Sequence, residues 1–179
     1  MKKLSLIVLC LTCITVTYAQ KDTVHLKRLA QVEKNVVTDR APQALYFQIG
    51  GSAPILSVNY DRRFAKKVNG FGFTAGLGFF GVSGASLFSI PVSINYLLGH
   101  NSNFVEFAAG TTFVTATTSD FFGNDTKSTG SGFIHHLNVG YRYQPTNGGF
   151  FFRGGISPLF AGGVGFAFTS YYLGFGHNF

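Results

Sequence analysis

The chain has 179 residues, enough for one domain with a sizeable core that needs neither disulfides nor a metal to hold it. Charged residues make up only 12%, against 23 Gly and 21 Phe, and mean hydropathy is +0.23, which excludes disorder and an ordinary soluble surface. The net charge of +7 does not imply a nucleic-acid partner, because no basic stripe is interleaved with exposed aromatics.

Lys2 and Lys3 followed by the apolar run Leu4 to Ile14 and the small-residue pattern Thr17-Tyr18-Ala19 predict a signal peptide over 1–19, cleaved before Gln20. Both cysteines, Cys10 and Cys13, lie inside it. Leu9 and Thr12 precede them where a lipoprotein signal would place a small residue, so lipidation is not expected. The mature chain then has no disulfide and no thiolate metal site.

Residues 20–43 contain no Gly and no Phe, but carry Lys21, Lys27, Arg28, Lys34 and Arg40 against Asp22, Glu33 and Asp39. This reads as a solvated, charged arm. The two signal lysines and the arm's surplus of two leave +3 on residues 44–179, in scattered positions.

After residue 19 no run of about 20 apolar residues exists, so a spanning helix is ruled out. Instead, residues 44–179 show apolar side chains at every second position in eight successive segments. They place Leu45, Phe47 and Ile49 on one face, then Leu56, Val58 and Tyr60, then Phe71, Phe73, Ala75, Leu77 and Phe79. The fourth segment holds Val92, Ile94, Tyr96 and Leu98, and the fifth Val105, Phe107, Ala109, Thr111 and Phe113. The last three present Leu137, Val139, Tyr141 and Tyr143; Phe150, Phe152, Gly154 and Ile156; and Tyr171, Leu173, Phe175, His177 and Phe179.

The opposite face is mostly Gly, Ser, Thr and Asn with single charges, which is not the solvated face of a soluble sandwich. Eight strands, at 17 residues per strand plus connection, leave the 9–11 or so residues that a tilted strand needs to cross a bilayer. An open sheet edge is not tolerated in lipid, so the sheet must close. The expected fold is all-β: a transmembrane up-and-down antiparallel β-barrel of eight strands, both termini periplasmic, in the bacterial outer membrane. A soluble barrel or sandwich is the competing fold.

The turns near Val68-Asn69-Gly70, Gly99–Asn103 and Pro145–Gly148 are expected to be tight and periplasmic. The polar stretch Thr115–Gly130 is expected to be a long outward loop. Two features are discordant. The first outward connection, Gly51–Pro54, is unusually short, and Pro91 sits where a closed sheet offers no free edge. Strand four should therefore start near Pro91 or bulge there.

The segments SVNYDRRF (57–64), IPVSINYLLG (90–99), VGYRYQP (139–145) and GGFFFRGGISPLF (148–160) resemble a family of small outer-membrane barrels of Bacteroidota. The broader shape resembles OmpA/OmpX-type barrels. Terminal Phe179, with Phe175, Leu173 and Tyr171 at alternate positions before it, resembles the signal read by the outer-membrane assembly machinery, although His177 departs from the commoner aromatic. The resemblance covers nearly all of 44–179. It implies fold and location, with outer-membrane lipids and the assembly machinery as partners, and little about activity.

Alternation turns Asp61, Arg63, Glu106, Arg142 and Arg153 inward near one end of the barrel, where they must pair. This predicts a structural charge network; the sharper reading is a gate or ligand cradle. His135 and His136 face opposite sides and cannot readily share a metal. His135 would face lipid or another outer-membrane protein.

For a lipid A-modifying acyl hydrolase, His135 with Ser131 and Ser170, or His136 with Ser89, could be imagined, but spacing indicates neither. No phosphate loop or zinc motif occurs, and no cofactor is expected. The preferred expectation is a non-enzymatic barrel with a filled lumen, acting in envelope structure or as an accessory subunit. A narrow channel or ligand-binding barrel is the alternative.

Overall fold

A computed structural model describes residues 40–119, 127–163 and 165–179. The expected signal peptide and the arm up to residue 39 lie outside the described residues. Eight strands follow one another: β1 (Gln43–Gly50), β2 (Leu56–Arg63), β3 (Gly70–Val82), β4 (Ala85–His100), β5 (Asn103–Ser119), β6 (Lys127–Tyr143), β7 (Gly149–Ala161) and β8 (Gly165–Asn178). Each pairs antiparallel with its sequence neighbours, and β8 returns to β1, so the sheet is a closed up-and-down barrel. Among the described residues there is no helix.

Closure begins one residue before the compositional boundary, because the Gln43 N–H donates to the Phe179 carbonyl and the Phe179 N–H to the Gln43 carbonyl. The pairing runs Asn178, Ala44, Asp61, Thr74, Ser93, Gly110, His136, Leu159 and Phe168 once around the wall. It returns to β8 ten residues from where it left, a stagger that tilts the strands roughly 35–45° and leaves a lumen only wide enough for side chains.

The polarity of the wall is inverted. Leu45, Val58, Phe71, Leu77, Ile94, Leu98, Val105, Leu137, Phe150 and Leu173 are exposed on the outside, whereas Gln48, Asn59, Asp61, Asn95, Glu106, Asn138, Arg142 and Arg153 are buried inside. An apolar exterior over a polar lumen is the arrangement of a transmembrane barrel. Aromatics gather in two belts. Near the termini are Tyr60, Phe64, Phe73, Phe71, Tyr96, Tyr141 and Phe152, several in ring contact. At the other end, Phe79 pairs with Phe88, Phe113 with Phe133 and Phe160 with Phe166 across the three longer hairpins.

Two expectations are corrected. Thr115–Gly130 is not a long loop: β5 continues to Ser119 and β6 starts at Lys127, with Thr115 paired to Ser131 and Thr117 to Thr129. These Thr-rich segments lack alternation because, beyond the apolar wall, both faces of the ribbon meet water. Pro91 neither starts a strand nor makes a bulge. It faces the lumen in the middle of β4 and pairs with Thr112 on β5; toward β3 the ladder skips Ile90 and Pro91 and resumes in the same register. The missing N–H is thus accommodated by an interrupted ladder rather than an edge. Pro158 on β7 repeats the device, paired to Thr169 while the β6 ladder skips it.

Candidate functional site: the barrel lumen

Inward alternation on four strands brings the five charged residues of the sequence reading together at the end that carries the termini. Arg142 (β6) is the hub. One edge of its guanidinium forks onto Asp61 (β2), Nη1 to Oδ1 at 3.0 Å and Nη2 to Oδ2 at 3.1 Å. The other engages Glu106 (β5), with Nη2 to Oε1 at 2.7 Å and Nε to Oε2 at 3.2 Å. Paired charged hydrogen bonds of this kind are the strongest a side chain can make, and this one residue makes two sets.

Arg63 donates from Nη2 to both Asp61 oxygens, at 2.9 and 3.0 Å, and to the Asn95 side-chain oxygen. Arg153 (β7) lies 3.3 Å from Glu106 Oε2 and donates to the Tyr46 hydroxyl. All five side chains are buried. Three guanidiniums face two carboxylates, so the cluster carries one positive charge in excess.

Neighbours that the sequence reading did not single out complete the cluster. Thr74 Oγ1 and Asn95 Nδ2 donate to Asp61 Oδ2 at 2.8 and 2.6 Å, filling the remaining acceptor positions. The Arg153 guanidinium lies between the Tyr172 and Tyr46 rings, 4.8 and 5.3 Å from their centroids, and Arg142 lies 5.1 Å from the Phe151 centroid. These ring faces stabilise the excess cation, for which no third carboxylate is present among the described residues. Room for Tyr172 comes from Gly140 and Gly155, where any Cβ would collide with its hydroxyl.

Both ends of the lumen are closed by short turns. At the end with the termini, Val68, Leu97 and Phe104 form a buried apolar cluster. At the other end the short 51–55 connection, discordant in the sequence, folds into the barrel. Thr112 Oγ1 on the opposite wall donates to the Ser52 carbonyl at 2.6 Å, Gln48 Nε2 donates to Ser52 Oγ at 3.2 Å, and Ala53 is completely buried. Gly51 turns the chain inward at φ +73°, a conformation that side chains disfavour. β1 and β2 are only eight residues each, so the connection between them lies at lumen depth and acts as a stopper rather than a projecting loop.

The remaining candidates are dispersed. His136 faces the lumen, its Nδ1 3.4 Å from Thr112 Oγ1. Ser170 Oγ accepts from the Gly51 N–H and donates to the Tyr171 carbonyl. Ser131 and His135 are exposed on the outer wall, where His135 pairs with Phe160. Tyr171, Leu173 and Phe175 on the closing strand β8, with Phe179 just after it, form an exposed outward row. Among the described residues, no three His, Cys, Asp or Glu side chains converge as metal ligands.

The chain resembles the N-terminal β-barrel domain of Pseudomonas aeruginosa OprF (TM-score 0.55, 14% identity, 79% of this chain and 98% of that one). Neisserial surface protein A is also similar, with TM-score 0.47, 18% identity, and coverage of 77% and 92%. The first likeness establishes a shared eight-stranded barrel fold. No protein-family model and no curated protein sequence matches the chain.

Proposed function

We propose that this chain is a non-enzymatic integral protein of the bacterial outer membrane, acting in envelope structure or as an accessory subunit of a larger outer-membrane complex. Residues 1–19 direct export and the residues from 20 up to the start of β1 at Gln43 form a charged periplasmic arm, with both termini on that side. The barrel is inserted by the assembly machinery, which reads the Tyr171, Leu173, Phe175 and Phe179 row.

One observation carries this reading: the inverted wall encloses a lumen filled by the Asp61–Arg63–Glu106–Arg142–Arg153 network and stoppered at both ends. Such a barrel offers its surfaces, and not a pore, for work. Its apolar wall meets lipid, and His135 stands on that wall where a neighbouring protein can meet it.

Fractionation and native migration test the proposal. The protein should be recovered with outer membranes and shift mobility on heating in gels. In gentle detergent it should migrate in a larger assembly if it is a subunit, or alone if its role is structural. Recovery in a soluble fraction without heat modification would contradict the proposal.

A further inference from the structure

The inward face changes character above the 51–55 stopper. Below it lies the charge network with its polar neighbours, packed against the Val68–Leu97–Phe104 and Ala44–Tyr46–Phe151 clusters. Above it they are Phe80, Leu87, Val114, Ile134, Leu159 and Phe168, an apolar ring on β3 to β8. The register places them on the lumen face: Phe80 pairs with Leu87, Val114 with Ser89, Ile134 with Thr112, and Leu159 with both His136 and Phe168. Apolar side chains turned into a mouth that only water filled would gain nothing from that orientation.

The wall around this ring is incomplete. The β1–β2 hairpin stops at Gly50 and Leu56, with Gly50 paired to Tyr172 and Ser57 to Gly78. Beside it, β8 runs on outward through Phe168 and Phe166, and β3 through Phe79 and Phe80. The three longer hairpins carry the outer phenylalanine belt (Phe79–Phe88, Phe113–Phe133, Phe160–Phe166), and β1–β2 stops short of it. Among the described residues, therefore, the barrel has a lateral notch at the depth of its own outer aromatic belt, leading to the apolar ring. The edges of β3 and β8 that flank the notch lack ladder partners there.

We infer that this notch admits one acyl chain of an outer-leaflet lipid, which seats against the ring formed by Phe80, Leu87, Val114, Ile134, Leu159 and Phe168, with the Ser52–Ala53 stopper as its floor. The inference rests on the membrane placement proposed above. An acyl chain is the occupant because the notch opens sideways at lipid depth onto an apolar surface. The ester or amide linkage of the same lipid reaches the unpaired strand edges, which in lipid need hydrogen-bond partners. The stopper keeps the chain out of the charge network below.

The chain contains no Trp, so single-Trp variants give an unambiguous signal. Val114→Trp probes the mouth across from the notch, and Phe113→Trp, its neighbour on the outer face, reports ordinary lipid contact. Leu87→Trp with Phe88→Trp forms a second pair if the first does not fold, as judged by heat-modifiable mobility. In vesicles of phospholipid with brominated acyl chains, we expect Val114→Trp to lose fluorescence to an extent comparable with Phe113→Trp, and to resist aqueous acrylamide.

Quenching of Val114→Trp by acrylamide but not by brominated lipid means a water-filled mouth and overturns the inference. Resistance to both means that protein covers the mouth, which also overturns it. If Phe113→Trp is itself untouched by brominated lipid, the membrane reading fails first.

Discussion

The two halves of the lumen obey the same alternation, but the charge network lies in one half alone. Toward the termini, Asp61, Arg63, Glu106, Arg142 and Arg153 are ion-paired with one another, Thr74, Asn95 and Tyr46 hydrogen-bond to them, and the Tyr172 ring packs on Arg153. Toward the other end the inward positions are aliphatic or aromatic, several of them half-exposed. The stopper at Ser52–Ala53 marks the change. The difference teaches where cohesion resides: the lower half is interlocked through specific partners on β1 to β8, and the upper half is a ring of side chains that do not depend on one another.

Substitutions can break or sharpen that contrast. The largest effect is expected from Asp61→Asn, which leaves Arg63 and Arg142 facing a neutral group; breaking one partner of a buried pair costs about 3–5 kcal/mol. Urea unfolding followed by heat-modifiable mobility would read it as a large fall in midpoint. Gly140→Ala should come next, at about 1–3 kcal/mol, because its Cβ would occupy the space of the Tyr172 hydroxyl and displace that ring from Arg153.

Thr112→Val removes the bond that holds the stopper, for about 1 kcal/mol; its clearer signature is faster hydrogen exchange at residues 51–55 with the network unaffected. Smallest of all, Val114→Ala in the mouth should cost less than about 1 kcal/mol, since that side chain is already half-exposed. A mouth substitution as damaging as Asp61→Asn would erase the distinction between the halves.

Much of this was legible in the sequence, because alternation is local. Which side chains of each strand face inward follows from a period of two, so Asp61, Glu106, Arg142 and Arg153 could be assigned to the lumen without knowing any partner. Register is not local. That Arg142 forks onto Asp61 rather than Glu106 alone, or that Tyr172 lies beside Arg153, depends on a stagger of ten residues around the barrel, which no single segment encodes.

The polar Thr115–Gly130 stretch reads as loop for a physical reason: alternation disappears when both faces are wet, although the Thr residues still favour strand. Pro91 looked incompatible with a closed sheet because a proline costs one ladder bond; the barrel gives up that bond on one side and keeps its register. The inward fold of the Gly51–Pro54 connection follows from the shortness of β1 and β2, eight residues each, which ends their hairpin at lumen depth.

The claim that the lumen is filled and stoppered is tested most directly by single-channel recording of the purified full-length protein in planar bilayers. A barrel held shut by the Asp61–Arg142–Glu106 network and the Ser52 stopper should insert without conductance steps. Stable, reproducible open-channel steps from the unsubstituted protein, altered by Arg142 or Arg153 substitution, would contradict it.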